Sequence, residues 1–399
     1  MPGCGGMVGV PVGERSGIVI VGGGPAAHAA VDAYRDAGGA LPVRILAKEL
    51  ELPYERPPLT KGYLRGESGR GDLLLAHAEW YREREIEVEC GAEVGEIDLD
   101  AGEARGVDGG AWGFARCLLA SGARPYVPDI PGADGPDVRT VRTISDSEQL
   151  RALAGSSVLV VGSGFIGCEA TASLAMLGAR VSVATLESAP QVGRLGEEAG
   201  ARIGSWLEQR GVDLLAEASL AEIVAEPGGS LVRFADGRER SADAVVLALG
   251  IRRNEQLAVA AGVDVDDGVL VDAAMVSSDP RLLACGDVAA AQNALAGRRL
   301  RVEHWGEALA MGKVAGRTLA GREASWDATP GFWSTIGDRT LKYAGWGGDW
   351  DQLRFEAGAG EGFVVRYGRD GELVGLLTHE EDEAYEQGRA EIAGRAAWS

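Results

Sequence analysis

Two glycine-rich turns, 140 residues apart, carry the clearest chemical signal in this 399-residue chain. Gly22-Gly23-Gly24-Pro25-Ala26-Ala27 ends the apolar run Gly17 to Val21 and opens a helix-compatible stretch to about Ala37. Gly162-Ser163-Gly164-Phe165-Ile166-Gly167 ends Ser157 to Val161, opens an alanine-rich helix to about Leu177 and is followed by a strand at Ala179 to Ala184. In a strand, turn and helix of this kind the first glycine (Gly22, Gly162) permits the sharp turn. The second (Gly24, Gly164) lets a pyrophosphate approach the backbone, and a small third residue (Ala27, Gly167) lets helix pack on strand. The helix N-terminus, at Pro25-Ala26 and at Phe165-Ile166, offers free N–H groups and the positive end of the dipole. One such turn in a chain with 60 glycines is a weak signal. Two, each framed by a β-branched strand and a helix, point to two dinucleotides, a bound flavin and a nicotinamide, with a hydride passed between them.

Other reactive side chains narrow the chemistry. The five cysteines (Cys4, Cys90, Cys117, Cys168, Cys285) lie at least 27 residues apart, so no CxxC pair is present to shuttle electrons as a dithiol or to hold zinc. Cys168, inside the second turn-helix, is expected to pack as a small apolar residue. The four histidines are scattered, and no metal site is expected. The run Arg281 to Asp287 reads as a strand entering a turn with an acid at the start of a helix, where a carboxylate can bond ribityl hydroxyls and a helix N-terminus can stabilise charge on a reduced flavin. That places the flavin with the first glycine turn and this late segment. The nicotinamide then falls to the second turn. At the ribose-gripping positions Lys48 stands with Glu49 beside it in the first half, and Thr185 with Glu187 two residues on in the second. No arginine cluster follows immediately to receive a 2′-phosphate, which favours NADH slightly over NADPH.

The elements that hold these residues need several modules, since a chain of this length exceeds one hydrophobic core of roughly 150 residues. Hydrophobic residues make up 46% and charged residues 25%, and apolar runs are strand-sized, which excludes disorder and a membrane-spanning helix. A net charge of −21 disfavours nucleic acid, whose phosphates need clustered cations. The first 16 residues lack basic and apolar signal regions and are expected to form a flexible arm, and the scattered thiols fit the cytoplasm.

The run Leu52-Pro53-Tyr54-Glu55-Arg56-Pro57-Pro58-Leu59-Thr60-Lys61, the strand end Leu118-Leu119-Ala120-Ser121-Gly122-Ala123-Arg124-Pro125, the turn Ala284-Cys285-Gly286-Asp287 and Glu303-His304-Trp305 together resemble the putidaredoxin-reductase type of FAD-dependent ferredoxin reductase. The resemblance covers about residues 17 to 345 and includes the reductases of bacterial dioxygenase and cytochrome P450 systems. It implies that Arg56, Lys61, Val94, Arg142, Asp287 and Trp305 line the FAD site, with Ala120, Gly122, Glu303 and His304 from the shared motifs and Gly250 at the end of the nicotinamide segment. It also implies a third, C-terminal domain. The expected fold is α/β: two Rossmann-like dinucleotide domains plus a small α+β domain. The expected boundaries are 17–123 with 249–330 for FAD, 124–248 for NAD(P), and 331–399 for the C-terminal domain.

Within this frame Lys61 and Glu169 are the expected catalytic pair. Lys61 follows a proline-rich turn at the flavin edge, and Glu169 stands two residues after Gly167 on the first turn of its helix. A lysine held near flavin N5 by a carboxylate favours the reduced flavin. With no thiol pair to receive them, electrons are expected to leave singly for an acidic, ferredoxin-like iron–sulfur protein, past Trp305, Phe332 and Trp333. Arg298, Arg299 and Arg301 supply a local docking patch despite the acidic total, because charge beyond about 8 Å is screened. The family's FWS-Asp-Gln stands here as Phe332-Trp333-Ser334-Thr335-Ile336, and the tail is short. The C-terminal part reads as strands Arg339 to Trp346, Gly362 to Tyr367 and Glu372 to His379, then a helix with an acidic first turn at Glu380 to Glu383. A monomer or a homodimer fits equally. Two other functions remain open: an NADH oxidase or other flavin enzyme acting directly on oxygen or a small molecule, and a redox-sensing NADH-binding interaction protein.

Overall fold

A computed structural model describes residues 17–348 and 350–398, so Cys4 and the arm expected over 1–16 lie outside the described residues. These residues form two compact units: 17–55, 73–123 and 253–331 in one, and 56–72, 124–252 and 332–398 in the other.

The first unit is built on a five-stranded parallel sheet in the order Leu282–Ala284, Arg116–Leu119, Ile18–Val21, Val43–Ala47, Ile86–Cys90. All four residues of Ile18–Val21 are buried. A parallel sheet covered on both faces reads as a continuous apolar run instead of an alternation, which is why this strand is legible as Ile-Val-Ile-Val. Ile18–Val21 pairs on one side with Val43–Ala47 and on the other with Arg116–Leu119, so the strand order reverses here, the position at which open α/β sheets bind ligands beyond the carboxyl ends. Helix Pro25–Asp36 lies against helix Trp305–Leu319. A Cβ on Gly312 would stand 2.4 Å from the carbonyl oxygen of Ala26, and one on Gly316 would stand 2.1 Å from that of Ala30. Two glycines four residues apart thus set how closely these helices approach.

The helix expected to start at Asp287 is corrected. Strand Leu282–Ala284 is followed by a single 3₁₀ turn, Gly286–Val288, and then by strand Ala289–Asn293. That strand lies between Val269–Val271 and Arg298–Leu300, with Ala289, Ala290 and Ala291 fully buried. Three alanines favour a helix in isolation, and ladder pairing on both sides overrides that preference. The helix N-terminus in this part of the chain is supplied instead by Trp305–Leu319, whose N-cap is His304.

The second unit contains another parallel sheet, in the order Asp213–Leu215, Arg180–Ala184, Ser157–Val161, Ala244–Leu247, Val138–Arg139. It also contains a C-terminal sheet in the order Gly331–Ile336, Arg339–Gly345, Glu372–His379, Phe363–Arg369, Gln352–Ala357, closed by helix Asp382–Ala393. Val160, Val183, Ile203 and Trp206 share one apolar cluster with Ile336, Leu341, Phe363 and Leu377. The strands expected near Arg339, Gly362 and Glu372 are present. Two strands were not anticipated. Gln352–Ala357 carries Leu353 and Phe355 between charged or polar neighbours, a period-two signal. Gly331–Ile336 buries Phe332, Ser334 and Ile336 and exposes Trp333.

Candidate functional site

Each glycine turn is shaped by backbone crowding on one side and open space on the other. Gly22 has φ +122°, and a Cβ there would meet the carbonyl oxygen of Ala120 at 2.2 Å; Gly162 has φ +106°, and its Cβ would meet that of Ala248 at 2.3 Å. Only glycine fits both demands. Gly167 closes the second turn, since a Cβ on it would stand 2.1 Å from the Gly162 carbonyl oxygen. Gly24 and Gly164 differ, because a Cβ at either would meet nothing within 4 Å. These two are the helix N-caps and bear no capping side chain. The first helical bonds run from His28 N–H to Gly24 O and from Cys168 N–H to Gly164 O, so the N–H groups of Ala26, Ala27, Phe165, Ile166 and Gly167 lie ahead of the ladder, available to a diphosphate. The donor set and the open Cβ positions fit a dinucleotide at each turn.

In the first unit, Asp287 stands in the 3₁₀ turn directly after Gly286, whose φ is +75° and whose Cβ would lie 3.1 Å from that of Ala26. The late segment therefore meets the helix that starts at Pro25. Lys48 Nζ pairs with Glu93 at 2.7 Å, and Glu49 accepts the Tyr54 hydroxyl at 2.5 Å. Val94 begins the antiparallel strand Val94–Asp98, Ala120 is buried behind Gly22, and Gly122 takes φ +63°. Glu303 accepts from Arg253 at 2.7 Å, and Arg253, 8% exposed, also bonds Asp267 at 2.8 Å. Sequence reasoning did not single out Arg253, a buried guanidinium that ties down the Glu303-His304-Trp305 turn. In the arginine patch, Arg298 and Arg299 are exposed on their strand, whereas Arg301 bonds Asp266 at 2.8 Å and is not available as a simple surface cation.

In the second unit the Arg56 guanidinium donates to the carbonyl of Arg142 at 2.7 Å, bringing together two residues 86 positions apart. Arg142 N–H in turn bonds Asp146, whose carboxylate completes the capping box of helix Ile144–Arg151 with Thr143. Glu187 accepts the Gly193 N–H at 3.0 Å, while Thr185 is buried and accepts from Ser163 at 2.8 Å. Gly250, at φ +98°, receives the Tyr126 N–H on its carbonyl at 2.9 Å. Phe165 meets Phe332 edge-on with centroids 4.7 Å apart. Trp333 is 45% exposed.

Lys61 and Glu169 meet. Nζ of Lys61 lies 2.6 Å from Oε2 of Glu169, with side chains 16% and 3% exposed. Glu169 is the fifth residue of helix Phe165–Met176, so it stands on the second turn, correcting the expectation of the first: the helix begins at Phe165, and Glu169 lies one turn beyond it on the same side. Lys61 is set by the 3₁₀ turn Pro57–Thr60, whose two prolines fix φ. Sequence reasoning missed Thr60 and Ser334, which also bond Glu169 at 2.5 and 2.7 Å. Both stand inside quoted motifs, but nothing local marks a hydroxyl as pointing inward.

Three of the four described thiols are buried, which suits packing better than redox relay, and Cys90 is partly exposed. Cys117 and Cys285 are buried, and burial pushes both up to about 12. Cys168 is likewise buried and raised, donating to Ser163 O at 3.2 Å.

Known proteins share this architecture along most of the chain. The ferredoxin–NAD(+) reductase component of the anthranilate 1,2-dioxygenase system of Burkholderia cepacia is 33% identical over 360 residues, 89% of each chain. The rubredoxin–NAD(+) reductase of Pseudomonas putida is 30% identical over 341 residues, 84% of this chain and 88% of that one. Among solved structures, the ferredoxin reductase for the CYP199A2 system from Rhodopseudomonas palustris superposes with a TM-score of 0.91 at 28% identity, covering 96% of both chains. The covalent putidaredoxin reductase–putidaredoxin complex gives 0.90 at 26% identity, covering 96% of this chain and 94% of that one. Residues 16–312 match the pyridine nucleotide-disulphide oxidoreductase family, and the chain, with its two glycine turns and the Lys61–Glu169 pair between the Pro57–Thr60 segment and helix Phe165–Met176, belongs to it.

Proposed function

We infer that the chain is a FAD-dependent NAD(P)H oxidoreductase of the ferredoxin-reductase type, which takes electrons from NADH and delivers them to an iron–sulfur protein serving an oxygenase. The observation that carries this reading is the Lys61–Glu169 ion pair on the nucleotide helix of a chain alike, over 89% of its length, to a ferredoxin–NAD(+) reductase. When bound, FAD supplies the chemistry: it accepts a hydride, two electrons with one proton, from the reduced nicotinamide and gives the electrons up one at a time.

The residues of this chain bind, orient and hold charge. Gly22, Gly24, Pro25 and Ala26 would hold the FAD diphosphate, with Lys48, Glu49, Arg56, Val94, Ala120, Gly122, Arg142, Asp287, Glu303, His304 and Trp305 as the further lining. Gly162, Gly164, Phe165, Ile166, Glu187 and Gly250 would hold the nicotinamide dinucleotide. A carboxylate at Glu187 suits a free ribose hydroxyl better than a 2′-phosphate. Lys61 would hold positive charge for the reduced flavin, and Glu169 would keep that ammonium in place. The domain assignment proposed with this reading is FAD at 17–123 and 249–330, NAD(P) at 124–248 and a reductase-type C-terminal domain at 331–399. We place the protein in the cytoplasm with an acidic partner that meets the exposed Arg299.

Purified protein should be yellow, bleach anaerobically with one equivalent of NADH, prefer NADH to NADPH, and reduce cytochrome c only when a ferredoxin is added. Colourless protein that stays so with excess FAD would end the reading. Fast turnover on oxygen alone would replace the acceptor with oxygen.

A further inference from the structure

Glu169 is more fully committed than an ion pair requires. Its Oε2 accepts from Lys61 Nζ at 2.6 Å and from the Thr60 hydroxyl at 2.5 Å, and its Oε1 accepts from the Ser334 hydroxyl at 2.7 Å and the Thr335 N–H at 3.2 Å. Thr60, Glu169 and Ser334 are 3%, 2% and 1% exposed. A carboxylate has about four acceptor positions, and here four donors take them. Rotating the carboxylate would break charge-assisted bonds in a dry surrounding where no water replaces them.

Neither hydroxyl is needed to build its own element. The 3₁₀ turn Pro57–Thr60 is tied down through its carbonyls, that of Thr60 by the Ser173 hydroxyl and that of Leu59 by the Ser147 hydroxyl, both at 2.7 Å. Ser334 stands on an inward face between Phe332 and Ile336, where an alanine or valine would pack without the desolvation cost of a hydroxyl. Each hydroxyl is directed instead at Glu169.

We propose that Thr60 and Ser334 are positioning residues for the hydride transfer: with the Thr335 N–H they hold the Glu169 carboxylate in one orientation, and through it they hold the Lys61 ammonium. The C-terminal strand thereby contributes to the chemistry of the nucleotide helix through Ser334 and Thr335. This rests on the reading of Lys61 and Glu169 as the catalytic pair.

The test compares the FAD-loaded wild type with Thr60→Val, Thr60→Ser, Ser334→Ala, Lys61→Met and Ser334→Ala combined with Lys61→Met, each reduced anaerobically by NADH in a stopped-flow instrument. Thr60→Val and Ser334→Ala should lower the limiting rate of flavin reduction roughly tenfold to a hundredfold, as a misplaced group does, and change the NADH dissociation constant less than about twofold. Thr60→Ser, which keeps the donor, should recover most of the rate. Ser334→Ala should add nothing to Lys61→Met, because its effect passes through that ammonium. Independently of turnover, the chain has four lysines, and the Lys61 side-chain NMR resonance alone should shift in Ser334→Ala and Thr60→Val. Wild-type limiting rates in both single variants, a Thr60→Ser as slow as Thr60→Val, or a full additional loss in the double variant would overturn the proposal while leaving the oxidoreductase reading intact. A wild-type protein that NADH does not reduce would overturn both, and a Lys61→Met variant reduced at the wild-type rate would remove the catalytic pair and this proposal with it.

Discussion

Lys61 and Glu169, 108 positions apart in the chain, meet at 2.6 Å, nearly buried, on the second turn of the helix that follows the Gly162 turn. The lysine comes from a strap of 3₁₀ turn and the carboxylate from the helix, so their meeting depends on how that strap is fastened. Ser147 and Ser173 donate to its Leu59 and Thr60 carbonyls, and Arg65 and Tyr63, just beyond Lys61, donate to Ser173 and Glu148.

Lys61→Ala should retain FAD and lower the limiting rate of flavin reduction by roughly tenfold or more, since charge placed at the reacting centre in a dry site is among the larger contributions to rate. Stopped-flow absorbance of the flavin measures it. An unchanged rate removes Lys61 from the chemistry.

The two kinds of glycine should separate stability from binding. At Gly167 a Cβ would stand 2.1 Å from backbone, so Gly167→Ala should cost more than about 2 kcal/mol by urea unfolding. At Gly164 a Cβ meets nothing within 4 Å, so Gly164→Ala should leave stability within about 0.5 kcal/mol and instead raise the KM for NADH. Equal losses of stability in the two variants would contradict this division.

The strap should loosen in acid. The Arg70 guanidinium, and then the Tyr63 hydroxyl, hold the Glu148 carboxyl down to about 2 from an ordinary 4.5. A carboxyl whose folded value is depressed adds stability above the ordinary value and loses it as pH falls from about 4.5 toward 2. Wild type should therefore exceed Glu148→Gln in urea midpoint at pH 7, and the gap should narrow continuously below pH 4.5. Arg70 and Glu148 are 57% and 36% exposed, so molar salt should shrink the gap at pH 7 as well. A gap that is the same at pH 7 and pH 3 would show that the pair does not act through charge.

Thiol chemistry should be separable from electron transfer. Cys117, Cys168 and Cys285 are buried with raised values, whereas Cys90 is partly exposed. In a Cys4→Ser variant, maleimide at neutral pH should modify one thiol in the native protein and four after unfolding, and NADH-dependent turnover should persist after labelling. Loss of turnover on labelling would restore a cysteine to the mechanism.

Arg299 is exposed on strand Arg298–Leu300, while Arg301 is engaged by Asp266. Arg299→Glu should raise the KM for an acidic ferredoxin several-fold at low salt and leave ferricyanide reduction unchanged. Steady-state assays with both acceptors decide it, and an unchanged ferredoxin KM discards the patch.

Read in order, the residues by themselves determine both glycine turns, the strands before them and the helices after them. The reason is local: a buried parallel strand must be apolar throughout, and a backbone at φ above +100° crowded against a carbonyl must be glycine. They also determine that no two cysteines stand close enough in sequence to form a CxxC. Tertiary structure decides what depends on neighbours distant in the chain. Ala289–Asn293 is a strand because Val269–Val271 and Arg298–Leu300 flank it, although its alanines favour a helix. Arg301 is spent on Asp266 because two loops meet, which no spacing reveals. The four donors on Glu169 come from residues 60, 61, 334 and 335, and whether a threonine or serine hydroxyl faces a carboxylate or solvent is settled only when the strap and the C-terminal strand close on the helix.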